Sequence, residues 1–188
     1  MANLTSDYID YDKALNKGLS LLKDEKKAII GFYIIFSINS GLRISDVLKL
    51  KHKDLEKDQI IIEEKKTKKV RKIMLNHIVK KSYSQLKALL IKKNAFDNDA
   101  YIFVSQKNSI YKTQSINNLL KRTFNFKKLQ ISSHSLRKSF ARRVYSNNNE
   151  SENALILLSD IFGHSSIAIT RRYLGIRQET IDNVYLTL

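Results

Sequence analysis

Several short stretches of this sequence hold residue types that do chemistry on phosphates. His134-Ser-Leu-Arg137 sets an imidazole and a guanidinium three residues apart. On a helix that spacing puts both on one face, within reach of one small ligand. Leu136, Phe140 and Val144 recur at helical spacing on another face and are expected to bury. Ser132, Ser133 and Ser135 offer capping hydroxyls at the front end. An imidazole and a guanidinium aimed at one point, in a chain this basic, suggest a phosphate. Upstream, Arg43 lies two residues past Gly41, between Leu42 and Ile44. A charge among apolar neighbours must turn to solvent or meet an anion. Asp46, three residues on, can hold its guanidinium, so a purely structural Arg43–Asp46 pair competes with an anion site.

The composition fits an anionic partner. Lys and Arg number 34 against 18 Asp and Glu, a formal net charge of +16. A charge that large attracts polyanions, with nucleic acid the default and an anionic membrane surface the minor alternative. There is no cysteine, which excludes disulfides, thiolate nucleophiles and cysteine metal sites. The four histidines (His52, His77, His134, His164) form no HExxH pattern and no i,i+4 pair, so no metal site is expected. The first residues lack an apolar core of signal-peptide length. The most apolar run, Ala28 to Ile38, falls short of the roughly 20 residues that span a bilayer. A cytoplasmic, DNA-associated protein without membrane contact is the expectation.

At 188 residues the chain is long enough for one domain with a sizeable core. Ile9 to Asp24 has the pattern of an amphipathic helix. Lys26 to Asn39 is apolar nearly all round and belongs in the middle of a domain, with Gly41 as its left-handed cap. Leu42 to Leu50 suggests a second short helix. Gln59 to Glu64 and Val70 to Leu75 read as strands, joined by the cationic turn Lys65-Lys66-Thr67-Lys68-Lys69. Such a turn is either a solvated, aggregation-guarded tip or a device for setting one lysine beside a phosphate. Further helices are expected over Asn76–Lys92, from a Ser115 cap through Leu129, over Ser135–Ser146 and Ala154–Phe162, after Ser165 or Ser166, and over Gln178–Leu186. Ala100 to Ser105 reads as a short strand. The result is a mainly α fold with a small antiparallel β-sheet.

Gly41-Leu-Arg43-Ile-Ser-Asp46, His134-Ser-Leu-Arg137 and Phe162-Gly-His164-Ser-Ser-Ile-Ala-Ile-Thr170-Arg-Arg-Tyr173 occur in that order. Together they resemble the catalytic domain of the tyrosine recombinases, the phage-integrase and Xer-like family, from about Leu19 to Tyr185. The resemblance implies that Arg43 and Arg137 clamp a scissile phosphate, and that His134 and His164 are the histidines of the second and third boxes. It implies that Tyr173 is the nucleophile and Lys66 the lysine acid, with Asp46 supporting the first arginine. Lys65, Lys68, Lys69 and Arg71 are assigned to DNA contact. Lys65 and Lys68 also rival Lys66, because the turn lacks the glycine that commonly follows the threonine in relatives, and no proline closes the second strand. Among nine tyrosines, Tyr173 stands out by its place after Gly163-His164 and beside two arginines; Tyr185 is the fallback.

Physical chemistry makes sense of the set. A phosphodiester under attack gathers charge on its non-bridging oxygens, which two guanidinium forks can meet. Tyrosine, with an ordinary pKa of about 10, is protonated at neutral pH and needs a base or a strongly cationic pocket. The departing 5′ oxygen needs a proton, which a lysine can give. The bond is stored as a 3′-phosphotyrosine, so no cofactor and no nucleotide energy source is expected. The chain has no GxxxxGK[ST] loop.

The implied activity is site-specific DNA recombination or integration, as in a mobile element. Double-stranded DNA is the expected partner, with a homo-tetramer forming on paired sites through the C-terminal segment. A catalytically silent DNA-binding protein of the same fold, or a type IB topoisomerase-like relaxase, is the alternative. The expected organisation is one catalytic domain over 1–188. Residues 1–18 would be a linker or remnant, and the N-terminal core-binding domain of most relatives would be absent.

Overall fold

The computed structural model describes residues 6–66, 68–126 and 129–187, the side chains of 177–182 excepted. Its centre is helix α2 (Ala28–Ser40), whose buried positions lie on every side. A helix apolar all round must be surrounded. Helices α1 (Tyr11–Leu22), α4 (His77–Lys92) and α6 (Ser133–Asn147) pack on it. The α1–α2 contact depends on Gly31: a Cβ there would lie 2.5 Å from the Leu22 nitrogen and 2.7 Å from the Gly18 oxygen. Phe32, Tyr33 and Phe36 then gather Phe103 and Tyr83 into an aromatic cluster.

Helix α2 ends where its sequence says it must. Gly41 takes φ +61 in the left-handed region, and its amide caps the Ser37 carbonyl. The following stretch is not one helix but a single turn, α3 (Ile44–Val47), and a 3-10 turn at His52–Leu55. Strands β1 (Gln59–Glu63) and β2 (Val70–Met74) pair antiparallel, with Ile61 opposite Lys72. Their joining turn has no glycine. Instead Lys68, the residue after Thr67, takes φ +58 itself. Thr67 lies outside the described residues.

Helix α5 runs Thr113–Phe124. It begins two residues before the expected Ser115 cap and stops short of Leu129, because Asn125 adopts a left-handed conformation that asparagine tolerates. Residues 127 and 128, within the expected extension, lie outside the described set. The expected strand at Ala100–Ser105 is absent: Tyr101 and Val104 make isolated bridges, to Lys51 and Ile110. Helix α6 starts at a capping box in which Ser132 and Ser135 satisfy each other's amides.

Helices α7 (Glu152–Phe162), α8 (Ile167–Leu174) and α9 (Ile176–Thr187) complete the chain. The second half of α6, with α7 and α8, builds a second, smaller hydrophobic cluster of Ala141, Tyr145, Ala154, Leu155, Leu158, Phe162 and Leu174. Residues 6–18 are not a linker. Ile9 is in the main core, the Asp7 amide donates to the Gln130 carbonyl, and α1 is an integral helix. Among the described residues no single helix is long and apolar enough to cross a membrane.

Candidate active site

The site forms where the ends of four elements meet. The Gly41 cap turns the chain so that Arg43 leaves the end of α2 toward the first residues past β1. There its Nη1 donates to Glu64 Oε2 at 2.5 Å, and its Nη2 donates to the Phe162 carbonyl at 3.1 Å. The first arginine is therefore held by Glu64, not by Asp46. Asp46 is buried, and its Oδ1 accepts from the Lys65 amide at 3.0 Å. The helical i,i+3 spacing suggested an Arg43–Asp46 pair, but Arg43 is the residue before α3, in an extended conformation that points it elsewhere.

Arg137 comes up from the first turns of α6 and is almost fully buried, at 4% exposure. Its guanidinium lies 4.2 Å over the Phe162 ring, a cation–π contact, while Nη1 has no hydrogen-bond partner among the described residues. Burial pulls its pKa down to about 10, a shift that Arg43 and Arg71 reinforce and Tyr173 and Glu64 oppose. It still carries its charge at neutral pH. A buried guanidinium with an unmatched N–H is costly unless an anion comes to meet it. His134 shares the face expected from its spacing but sits exposed at the rim.

Phe162, fully buried, is the hub of the site. Its carbonyl takes Arg43 and its face takes Arg137. Its ring meets His164 and Tyr173 edge-on, each at 5.4 Å between centroids. Gly163 caps α7 in the left-handed conformation and brings His164 back beside the ring. His164 Nδ1 hydrogen-bonds Thr170 Oγ1 at 2.8 Å, which fixes the imidazole from within α8. Tyr173 packs edge-on against His164 at 5.7 Å, with Lys138 Nζ 5.5 Å from its ring centre. Its hydroxyl is buried without a hydrogen-bond partner among the described residues. Burial pushes its pKa up to about 12, against the pull of Arg137 and Arg43.

Both histidines are held below their ordinary pKa. For His134 the causes are desolvation by its surroundings, then Arg137, Lys138, Arg43 and Lys66; for His164 they are burial, then Arg137, Arg43 and Lys66. Both are therefore predominantly neutral at pH 7, and a neutral imidazole can accept a proton. Among the turn lysines, Lys66 is the one whose charge acts on both rings. Lys65, Lys66, Lys68 and Lys69 are all exposed, and Lys68 lies 3.7 Å from Glu63. Arg71 does not simply face outward: its Nη1 donates to Glu64 Oε1 at 2.9 Å.

Arg43, Arg137, His164 and Tyr173 thus meet around Phe162, with His134 at the rim and Lys66 close enough to influence both imidazoles. Three contributors were not legible. Glu64 reads only as the end of a strand, Phe162 as the end of an apolar helix, and Lys138 carries no signal of its own. The only sequence signal for Phe162 is its place immediately before Gly163-His164. Tyr185 is exposed in α9 and outside this cluster. Among the described residues no group of three or more His, Cys, Asp or Glu side chains can share a metal ion.

Buried Arg137 and half-buried Arg43 lie near Tyr173 on a helical body with one hairpin, the fold of tyrosine-recombinase catalytic domains. The chain belongs to the phage integrase family, which it matches over residues 13–179. It is 34% identical over 157 residues to the probable integrase/recombinase YoeC of Bacillus subtilis, covering 82% of this chain and 81% of that protein. It is 26% identical to the tyrosine recombinase XerC of Leptospira interrogans, over 97% of this chain but 56% of the relative. Among solved structures, XerH bound to its difH substrate superposes with a TM-score of 0.67 at 27% identity, covering 95% of this chain and 53% of that one. XerA superposes at 0.66 and 20% identity, over 96% and 64% of the two chains. The chain thus spans little more than half the length of several relatives it matches.

Proposed function

We propose that this chain cuts and rejoins DNA at specific sites through a 3′-phosphotyrosine on Tyr173, as the catalytic domain of a recombinase or integrase of a mobile element. The observation that carries this reading is one shared pocket. There Arg137 and Tyr173 both pack on Phe162, the guanidinium with an unmatched Nη1 and the tyrosine with a buried hydroxyl that has no hydrogen-bond partner among the described residues. Arg43 and Arg137 bind the non-bridging oxygens of the scissile phosphate and stabilise the charge that grows on them. The Tyr173 oxygen attacks phosphorus and the bond from phosphorus to the 5′ oxygen breaks. Neutral His134 takes the tyrosine proton, and Lys66 gives one to the departing oxygen. His164, held by Thr170, hydrogen-bonds the phosphate. Attack by a 5′ hydroxyl of another strand reverses the sequence and frees the tyrosine.

The reaction conserves the phosphoester bond energy, so it draws on no nucleotide energy source. Double-stranded DNA is the partner. Exposed Val184, Tyr185 and Leu186 on α9 support docking on a neighbouring protomer, as a tetramer on paired sites requires. The test is covalent trapping on nicked duplexes from a random-sequence pool, read as a protein–DNA adduct that survives a denaturing gel. An adduct lost in Tyr173→Phe and in Arg137→Ala is the expected result. Tight binding without an adduct would mark a silent DNA-binding protein instead. Relaxation of supercoiled plasmid by the monomer alone would mark a relaxase.

A further inference from the structure

Resting on that reading, we propose that Glu64 is a positioning residue that sets Lys66 over the leaving oxygen and ties its placement to Arg43. Glu64 immediately follows β1, with its side chain only 2% exposed. One carboxylate oxygen takes Arg43 at 2.5 Å and the other takes Arg71 at 2.9 Å. A carboxylate held between two guanidinium groups cannot shift without breaking one charge-assisted hydrogen bond.

The backbone of Glu64 is held as firmly. Its amide donates to the Lys69 carbonyl at 3.0 Å and its carbonyl accepts from the Lys68 amide at 2.9 Å, which closes the lysine turn. Lys66 lies two residues further, about 7 Å of chain at most. A second tie runs from the Lys65 amide to Asp46 Oδ1 in α3. An exposed lysine side chain is otherwise rotamer-rich and samples a wide volume. Here its base is anchored to the same arginine that holds the phosphate. The charge of Lys66 accordingly reaches both His134 and His164. Substituting Glu64 should therefore act through the lysine, and not only through the arginine it touches.

Leaving-group chemistry separates the two. Cleavage rates are measured on a trapping duplex with its natural 5′ oxygen, and on one whose bridging 5′ oxygen is replaced by sulfur. In the second, the bond from phosphorus to sulfur breaks as the tyrosine ester forms. Sulfur departs as a thiolate that needs no proton, thiols having a pKa of about 8.5. Lys66→Ala should lose about 100-fold on the oxygen substrate and recover on sulfur, as removal of a general acid does. Glu64→Gln should lose about tenfold or more on oxygen, as loss of a supporting contact does, and recover on sulfur in the same way. Arg137→Ala should fail on both.

A Glu64→Gln protein equally impaired on both substrates would overturn the proposal, by assigning Glu64 to the arginine clamp alone. Unimpaired cleavage by Glu64→Gln would overturn it too. If that variant does not fold, Glu64→Asp keeps the charge with a shorter reach and must show the same sulfur recovery. Failure of the unmodified protein on both substrates would instead refute the recombinase reading beneath.

Discussion

The two halves of the site are built on unequal foundations. Arg43 and Arg137 grow from α2 and α6, inside the large core that runs from Ile9 to Leu136. His164 and Tyr173 grow from α7 and α8, held by a cluster of seven buried residues around Phe162. The proposed phosphate clamp is thus rooted in the larger core and only leans on Phe162, whereas the proposed nucleophile depends on the smaller cluster throughout. Local opening free energy follows buried contact. On the proposed reading, the tyrosine's side of the site is then the easier to open and the arginines' side the harder.

The largest test of that contrast is Phe162→Ala. Truncating a fully buried phenylalanine costs about 3–5 kcal/mol. Here it removes the centre of the small cluster and the platform under Arg137. Hydrogen exchange should show α7 and α8 losing protection while α2 keeps its own; uniform loss across both would erase the distinction between the halves. Gly31→Ala sharpens the same contrast from the other side. Its Cβ would collide with the α1 backbone, at a cost of about 1–3 kcal/mol. That destabilisation should appear as a lower midpoint of global unfolding, with exchange in α8 little changed.

A smaller effect concerns protons. His134 and His164 have folded pKa values below the ordinary 6.5, so the unfolded chain binds more protons as pH falls through that value. Their contribution to stability is full above about 6.5 and is lost on acidification toward their lowered values. A bound phosphodiester offsets the surrounding cations and raises both pKa values. DNA binding near pH 6 should then take up protons, which calorimetry in buffers of different ionisation enthalpy would detect. Release of protons would contradict the placement of these rings beside the phosphate.

The smallest expected change is Lys68→Gly. A non-glycine residue in the left-handed region costs about 1–2 kcal/mol, part of which glycine returns in chain entropy. A slightly raised melting temperature is expected in a thermal unfolding scan.

Much of this arrangement was legible in the sequence because it rests on local rules. The all-apolar α2, its glycine cap, the lysine hairpin and the order of the three boxes each follow from spacing within a few residues. What was not legible depends on meetings across the fold. Glu64 and Arg43 are 21 positions apart, Arg43 and Phe162 are 119, and no periodicity links them. The Arg43–Asp46 pair shows the limit: a separation of three residues made it one of two readings, yet Arg43 lies before α3 and turns to Glu64. The misplaced end of α5 is of the same kind, since Asn125 stops a helix only by a left-handed turn that many asparagines never make.

The most direct measurement is to find which residue carries the DNA. A trapped adduct, digested with nuclease and then trypsin, gives two candidate peptides that differ in mass. One is Tyr173-Leu-Gly-Ile-Arg177, bounded by Arg172 and Arg177; the other begins at Gln178 and contains Tyr185. A residual nucleotide on the first peptide, esterified to Tyr173 through its 3′ phosphate, is the expected result. A nucleotide on the Tyr185 peptide, or on neither, would contradict it.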